Sequence, residues 1–171
     1  VEKPTGEISL GAGVGTSGGT IAGGIKENNF LGKGIKLNTN LALSKSSIKG
    51  IFVYEKPNFN YTDNTLYTSL KSTSIDNLSD NGYKTSLIGL SVGTGYEQFE
   101  DLYFTPKISA SFENLETTSK ATTNLKKQEG NYFDTYFTYA LDYDLTNKRY
   151  KPDDGYRTTF YQELPVVSEN F

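Results

Sequence analysis

The sequence contains no cysteine and no histidine in its 171 residues. Disulfides, thiolate nucleophiles, zinc fingers and histidine-based triads are therefore excluded. Without histidine, no convincing pair of nucleophile and base remains, so we do not expect an enzyme. A metal site would need oxygen ligands alone, and the adjacent acids Asp153 and Asp154 fall short of the roughly six to eight oxygens that calcium takes. We expect those two residues to shape a turn, and we expect no cofactor.

Hydrophobic residues are also scarce, at 35%, against about 45–50% in a typical globular chain. No apolar run approaches the roughly 18 residues of a transmembrane helix. The net charge of −3 gives no basic footprint, so nucleic acid is not an expected partner. Tyrosine and phenylalanine nevertheless make up 13% of the chain. Disordered chains lack aromatic residues, so this composition favours a folded β protein, and the length fits one domain.

Glycine is concentrated in the stretch GAGVGTSGGTIAGGI, residues 11–25. Gly13, Gly15 and Gly18 match the dinucleotide-binding spacing G-x-G-x-x-G. That motif requires a helix after the glycines and an acidic residue about 20 positions later. Gly23 and Gly24 interrupt the next segment, and Asn38 lies near the position of the required acid. The stretch therefore does not predict a phosphate-binding loop.

Period-two alternation runs along most of the chain and predicts β-strands with one apolar and one polar face. Segments of about ten residues are separated by turn-forming residues. They predict nine strands: 6–15, 20–28, 34–44, 47–56, 64–76, 83–96, 102–115, 132–146 and 155–167. Ile51 and Val53 fall on the polar face of the fourth strand. Pro106 predicts a bulge or a local break in the seventh strand, and the polar segment from Glu116 to Asn131 predicts an exposed loop.

The lengths and faces of these strands favour a membrane barrel over a soluble barrel or sandwich. About 9–11 residues suffice for a tilted strand to cross a bilayer. The polar face carries charges such as Lys36, Lys107 and Glu113, which are unfavourable in a dry core and which we expect to be solvated or paired across strands. Aromatic residues near strand ends predict interfacial girdles. These are Phe30, Tyr54, Phe59, Tyr61, Tyr96, Phe99, Tyr132, Phe133 and Tyr156.

Several motifs resemble those of the BamA family of outer-membrane β-barrel assembly factors. Thr5-Gly6 stands before the first strand, Gly11 to Thr16 matches the Gly-x-Gly-x-Gly-Thr end of that strand, and Asn29 to Gly34 matches the turn between strands two and three. Glu55 to Phe59 and Tyr150 to Arg157 resemble two later turn elements of the family. The resemblance extends along the whole chain and implies an all-β fold, an antiparallel transmembrane β-barrel.

The chain departs from that family in extent. Family barrels have sixteen strands and follow periplasmic POTRA domains, whereas about nine strands fit here. The Arg-Gly-Phe motif of the family is missing, and the ending from Val166 to Phe171 does not resemble a closing strand. We therefore expect residues 1–5 to be a stub of a preceding periplasmic region. Residues 6–171 would be strands one to nine, the N-terminal part of the barrel. The chain shows no signal peptide, as expected of a mature sequence.

The resemblance implies a role in inserting and folding other proteins in the bacterial outer membrane. The implied partners are client outer-membrane proteins, the lipid bilayer, and the remainder of the barrel, a second copy or other subunits of the assembly machinery. A glycine-rich first strand would form a weak seam, the lateral gate, whose backbone pairs with a client strand. The expected contact residues are Glu7, Ile8, Ser9, Leu10, Gly11, Ala12, Gly13, Val14 and Gly15. Proline at Ser9 is expected to impair assembly if that N–H faces the seam. The alternatives are an ordinary strand in this position and, for the protein, a passive small outer-membrane barrel with a structural or adhesion role.

Overall fold

The structure is a computed structural model and describes residues 5–15, 18–148 and 150–170. Three sequence-based predictions fall partly outside this range: the first four residues of the stub expected at 1–5, Thr16 of the glycine motif, and the terminal Phe171.

The described chain forms one antiparallel sheet in which each strand pairs with its neighbours in sequence, in the order β1 to β9. The strands are β1 Gly6–Gly15, β2 Gly18–Phe30, β3 Ile35–Ser44, β4 Ser47–Lys56, β5 Thr65–Asn77, β6 Tyr83–Phe99, β7 Leu102–Thr117, β8 Gly130–Asp144 and β9 Arg157–Asn170. A 3-10 turn at Phe59–Tyr61 and the helix α1, Thr123–Lys126, complete the elements. All nine predicted strands are present, with bounds within three residues of those expected.

The sheet has two ends, which we name by their connections. The proximal end carries the start of β1 and the connections 31–34, 57–64, 100–101 and 145–156. The distal end carries the connections 45–46, 78–82 and 118–129, together with the end of β9. Within the described residues, no helix is long and apolar enough to cross a membrane.

The distal segment between β7 and β8 is exposed for most of its length, but it is shorter than the sequence predicted. Glu116 belongs to β7 and Asn131 to β8, so both strands extend into the predicted loop. Ala121 is buried, and the backbone N–H of Thr118 donates to the carbonyl of Gly82 at 2.8 Å. Glycine at position 82 allows this approach, because a Cβ there would lie 2.5 Å from the backbone nitrogen of Ala121. The predicted loop is therefore largely exposed, but it is shorter than expected and packs on the β5–β6 connection at Ala121.

The two faces of the sheet differ in chemistry, as the alternation predicted. The even-numbered residues of β1, together with the residues paired with them across the sheet, form the apolar face. The odd-numbered residues of β1 and the residues paired with them form the polar face. Ile51 pairs with Asn40 and Lys71, which places it on the polar face as expected. Among the described residues, the only buried hydrophobic side chains are Ile35 and Ala121. The apolar face is therefore uncovered by any other part of the described chain.

The apolar band runs diagonally across the sheet. The residues paired from strand to strand across the sheet form rows, one of which is Ala12, Ile21, Leu43, Ile48, Ser74, Ser86, Asn114, Asn131. It is apolar on β1 to β4 and polar on β5 to β8. A row nearer the proximal end is apolar on the later strands: Tyr96, Phe104, Leu141, Phe160. A band of constant height that crosses the register in this way is what strands tilted in a bilayer produce.

Aromatic side chains follow the proximal edge of this band. The rings of Tyr96 and Phe104 lie 5.8 Å apart, and Tyr139 lies 6.0 Å from both Phe104 and Phe160. Tyr96 was among the residues predicted for the girdle, whereas Phe104, Tyr139 and Phe160 were not. Tyr132 was predicted to belong to it, but it lies on the polar face opposite Glu113. The prediction failed for Tyr132 because closeness to a strand end does not fix the face.

Pro106 causes a local break rather than a bulge. The β6–β7 register continues from Gly93–Lys107 to Tyr96–Phe104 without a shift, and the intervening pairs are missing. Pro106 still lies opposite Tyr139 on the β8 side. Proline has no N–H to donate, so the ladder opens toward β6 only.

The proximal connection between β8 and β9 is held by polar contacts and one glycine. The Lys148 ammonium lies 2.7 Å from the Asp153 carboxylate. This hydrogen bond and a second one from Asn147 lower the pKa of Asp153 below its usual value. The Asp154 carboxylate accepts the N–H of Gly155 at 2.8 Å. As predicted, the two acids shape the turn.

Gly155→Ala should destabilise the folded protein more than Gly32→Ala. Both glycines have a positive φ, 87° and 68°, a conformation that costs about 1–2 kcal/mol for other residues. A Cβ at position 155 would also lie 2.1 Å from the carbonyl oxygen of Leu145, whereas a Cβ at position 32 meets open space. We expect about 1 kcal/mol for Gly32→Ala and at least about twice that for Gly155→Ala. Urea unfolding in lipid vesicles measures both values, and equal losses would contradict the contact at Leu145.

Candidate functional site

β1 lies at one edge of the sheet and has the least cover of any strand. All ten of its residues are exposed. The apolar side chains Ile8, Leu10 and Val14 are exposed by 75%, 85% and 91%. Within the described residues, β1 pairs with β2 alone, so one side of its backbone has no partner strand.

The hydrogen-bond pattern identifies which backbone groups face the free side. The backbone N–H of Asn28 donates to the carbonyl of Thr5 at 3.2 Å, and these two residues continue the register of Gly6 with Glu27. In an antiparallel ladder, hydrogen-bonded pairs alternate with pairs that are not hydrogen-bonded to each other. The odd-numbered residues from Glu7 to Gly15 therefore bond to β2. The N–H and C=O groups of the even-numbered residues point to the free edge: Gly6, Ile8, Leu10, Ala12 and Val14.

This pattern corrects the role expected for Ser9. Its N–H faces β2, opposite Gly24, and does not face the seam. The Ser9 hydroxyl is also directed toward β2, where it donates to the carbonyl of Gly24 at 3.5 Å. Proline at position 9 would therefore disrupt the β1–β2 ladder, and the substitution that removes a seam donor is proline at Ile8, Leu10, Ala12 or Val14.

The glycines of β1 leave the polar face of the strand bare. Gly11, Gly13 and Gly15 lie on that face, and a Cβ at any of them would meet nothing within 4 Å. Gly24 of β2 has a different role, because a Cβ there would lie 2.5 Å from Asn40 Oδ1 and 2.8 Å from Ser9 Oγ. The glycines of β1 therefore reflect a lack of packing, whereas Gly24 allows a close approach.

β9 lies at the opposite edge of the sheet, and its free side is interrupted by a proline and a register shift. The N–H of Leu145 donates to the carbonyl of Tyr156 at 2.9 Å, so the alternation places the backbone of Glu163 and Pro165 on the free side. Pro165 has no N–H, and the register shifts beside it, between Thr135 and Tyr136. A proline and a bulge on an edge strand both hinder the addition of another strand.

Charged groups on the polar face are partly paired. Lys36 and Glu55 face each other across β3 and β4 at 2.7 Å, as expected for charges on this face. Lys107 lies opposite Gly93 and Thr138, and Glu113 lies opposite Leu87 and Tyr132. Neither makes an ion pair with another described residue. No group of three or more acidic side chains in the described part of the chain is placed to hold a metal ion.

Comparison with known proteins agrees with this architecture. The Omp85 superfamily domain matches residues 29–171. No curated protein matches the chain at the level of sequence. Among solved structures, BamA from Haemophilus ducreyi lacking POTRA domains 1–3 matches with a TM-score of 0.67 and 22% identity, over 96% of this chain and 35% of that chain. The chain thus spans about a third of the length of that protein.

These findings confirm the predicted resemblance and the predicted fold, an open sheet of nine antiparallel strands that matches part of a BamA barrel. The family match covers most of the chain, and it includes the Asn29 to Gly34 turn and every strand from β3 to β9. The chain belongs to the Omp85 superfamily.

Proposed function

We propose that this chain is part of an assembly factor that inserts β-barrel proteins into the bacterial outer membrane, and that β1 is its lateral gate. The observation that carries the proposal is the free backbone edge of β1, with the N–H and C=O groups of Ile8, Leu10 and Ala12 directed outward. The residues that would form the client-pairing surface are those from Glu7 to Gly15.

The physical reason is the cost of an open edge in lipid. Each backbone N–H or C=O group without a partner costs several kcal/mol in the hydrocarbon region. An incoming strand that pairs with β1 removes this cost through backbone bonds, which depend little on side-chain identity. The bare polar face at Gly11 and Gly13 requires no matching side chain from the client. Such an edge suits a factor that accepts many different client strands.

The contrast between the two edges supports β1 as the pairing strand. Five alternate residues of β1, Gly6 to Val14, direct backbone groups outward, and each carries an N–H. On β9, outward pairing is interrupted at Pro165 and at the adjacent register shift. A strand added to β9 would lose register in the distal half of the ladder, whereas a strand added to β1 would not.

The apolar face indicates the medium and the remaining partners. Exposed side chains such as Leu41, Ile108 and Phe112 have no protein cover, and the diagonal band fits tilted strands in a bilayer. We infer an outer-membrane location on this basis. The free edges at β1 and β9 would be closed by the remainder of the barrel, by a second copy or by other assembly subunits.

Photo-crosslinkers on β1 should trap the terminal strand of a folding client in the full-length protein. Probes at Ile8, Leu10 and Ala12 lie on the free strand, so we expect strong adducts there. Probes at Leu37 and Leu41 of β3 serve as matched controls, since they also lie on the apolar face but β3 is paired on both sides. We expect at most about a tenth of the β1 yield at these controls. Mass spectrometry of the adducts identifies the client segment.

Equal yields on β1 and β3 would refute the gate and leave a barrel with a passive structural or adhesion role. In that case the free edge of β1 would be closed permanently by another strand of the full-length barrel. The fold and the superfamily assignment would be unaffected.

A further inference from the structure

Ile51 and Val53 interrupt the alternation, because they place two aliphatic side chains on the polar face of β4. Ile51 is 39% exposed and lies between Asn40 on β3 and Lys71 on β5. Val53 is the next residue of β4 on the same face. In a transmembrane barrel the polar face lines the interior, so lipid does not cover these two side chains.

The polar face is hollowed on both sides of Ile51. On the β1 side, a hollow of about 540 Å³ has a floor of residues with a small side chain or none. These are Gly11, Ala22 and Ala42. On the β7 side, a hollow of about 290 Å³ extends from Val53 to Lys107, and its floor is again made of small residues. These are Ser69, Ser91 and Gly93. Ile51 lines both hollows, so there is room for a second segment on either side of it.

Three lysines surround the hollows, and none of them makes an ion pair with another described residue. Lys49 and Lys71 line the first hollow, and Lys107 lines the second. The register makes Lys49 and Lys71 diagonal neighbours on β4 and β5. Glu55 lies on the same face of β4, but its carboxylate already pairs with Lys36 at 2.7 Å. Within the described residues, this part of the inner wall therefore carries positive charge that no acid balances.

We propose that Ile51, Val53, Lys49, Lys71 and Lys107, which we call the inner patch, dock an acidic peptide segment of the full-length protein inside the barrel. Apolar side chains of the segment cover the two aliphatic residues, and its carboxylates pair with the lysines. A small anion would neutralise the lysines but leave the aliphatic side chains uncovered. Lys71 and Lys107 are two strands and four residues apart, roughly 16 Å between backbones. About five extended residues span that distance.

The enclosure of the inner patch favours a segment of the same polypeptide over a separate protein. This chain spans about a third of the BamA protein that it matches, and in the proposed full-length barrel the rest of the polypeptide is available to supply the segment. A tethered segment reaches such a site at an effective concentration on the order of millimolar. Some membrane barrels are plugged by loops in this way. The inference rests on the barrel fold and not on the gate at β1.

The test is photo-crosslinking in the full-length protein, purified in lipid nanodiscs without a client. A photo-crosslinking amino acid at Ile51 should form an adduct with one acidic segment of the same polypeptide, which mass spectrometry identifies. The same probe at Phe52 is the matched control. Phe52 is the next residue of β4 and lies on the apolar face, opposite Thr39 and Leu70, so its adducts should be with lipid only.

Charge variants test whether the lysines hold the segment. An exposed ion pair changes an equilibrium constant by about two- to fivefold. Lys49→Gln combined with Lys71→Gln should therefore lower the yield of the Ile51 adduct by about three- to tenfold. Lys49→Arg combined with Lys71→Arg keeps both charges and should retain the yield. Heat-modifiable migration on a gel should show that both double variants still fold.

The proposal is overturned if Ile51 forms no adduct, or if its adducts are only with lipid or with a co-purified protein. It is also overturned if the double glutamine variant folds and crosslinks at the unsubstituted yield. These outcomes are separate from the gate because no client is present. If the Ile51 adduct forms and depends on the lysines while clients do not crosslink to β1, the gate fails and the inner patch remains.

Discussion

Ile108→Arg should destabilise the protein in a bilayer by about 2–4 kcal/mol, which is the cost of a cationic side chain near the bilayer midplane on the lipid face of a barrel. Ile108 is 59% exposed on the apolar face. On β7 it lies midway between Phe104 and Phe112, inside the apolar run that begins at Leu102. Its partners in the register, Val92 and Phe137, are also apolar. The substitution therefore places the charge in the middle of the band.

Ser109→Arg is the matched control, one residue further along the same strand. Ser109 lies on the polar face between Ser91 and Tyr136, so an arginine there remains in contact with water. Its cost should be much smaller, within about 0.5 kcal/mol of the unsubstituted protein, as for ordinary surface substitutions. Reversible urea unfolding in vesicles compares the two variants. Equal losses at the two positions would show that the faces are assigned incorrectly.

The alternation in the sequence predicted most of the fold because strand periodicity is a local property. Segments such as Ile35 to Leu43 show their face without any knowledge of neighbouring strands. Even the exception at Ile51 and Val53 was placed correctly, since the face of a strand is fixed by the alternation as a whole. The strand bounds agreed because turn-forming residues such as Gly82 and Gly155 occur where the connections begin or end.

Features that depend on contacts between distant segments were not predictable in this way. The burial of Ala121 requires the β7–β8 segment to meet Gly82, about 40 residues earlier in the chain. The rings of Phe104, Tyr139 and Phe160 are neighbours only because three strands align there.

The same limit applies to the candidate site. Glycine content identified β1 as a weakly packed strand, but it did not show which amides point outward. That assignment required the Asn28–Thr5 hydrogen bond, which sets the alternation for the whole strand. For this reason, the proline substitution expected to impair assembly is one at an even-numbered residue of β1 and not one at Ser9.

Leu10→Pro should abolish or strongly reduce client assembly in the full-length protein while the barrel still folds. The N–H of Leu10 points to the free edge, where proline is tolerated because no ladder bond within the sheet is lost. The added client strand, however, loses one bond in the middle of its ladder and meets the proline ring. Leu10→Ala is the control for the side chain and should retain assembly. Ser9→Pro should behave differently, because it removes a bond to β2 and should weaken folding itself.

Gly13→Val tests the same strand by making it stiffer, whereas Leu10→Pro removes one of its backbone donors. A Cβ at Gly13 meets no atom within 4 Å, so valine fits without a clash. Glycine lowers strand stability by roughly 0.5–1 kcal/mol relative to alanine, and valine favours the extended conformation further. A stiffer β1 should stay paired for longer with the strand that closes its free edge. Client insertion should therefore be several-fold slower, with no loss of barrel stability. Assembly is measured as the rate at which a radiolabelled client becomes folded in vesicles, and barrel folding as heat-modifiable migration on a gel. If Leu10→Pro assembles clients at the normal rate while folded, β1 is not the pairing edge, whatever Gly13→Val does.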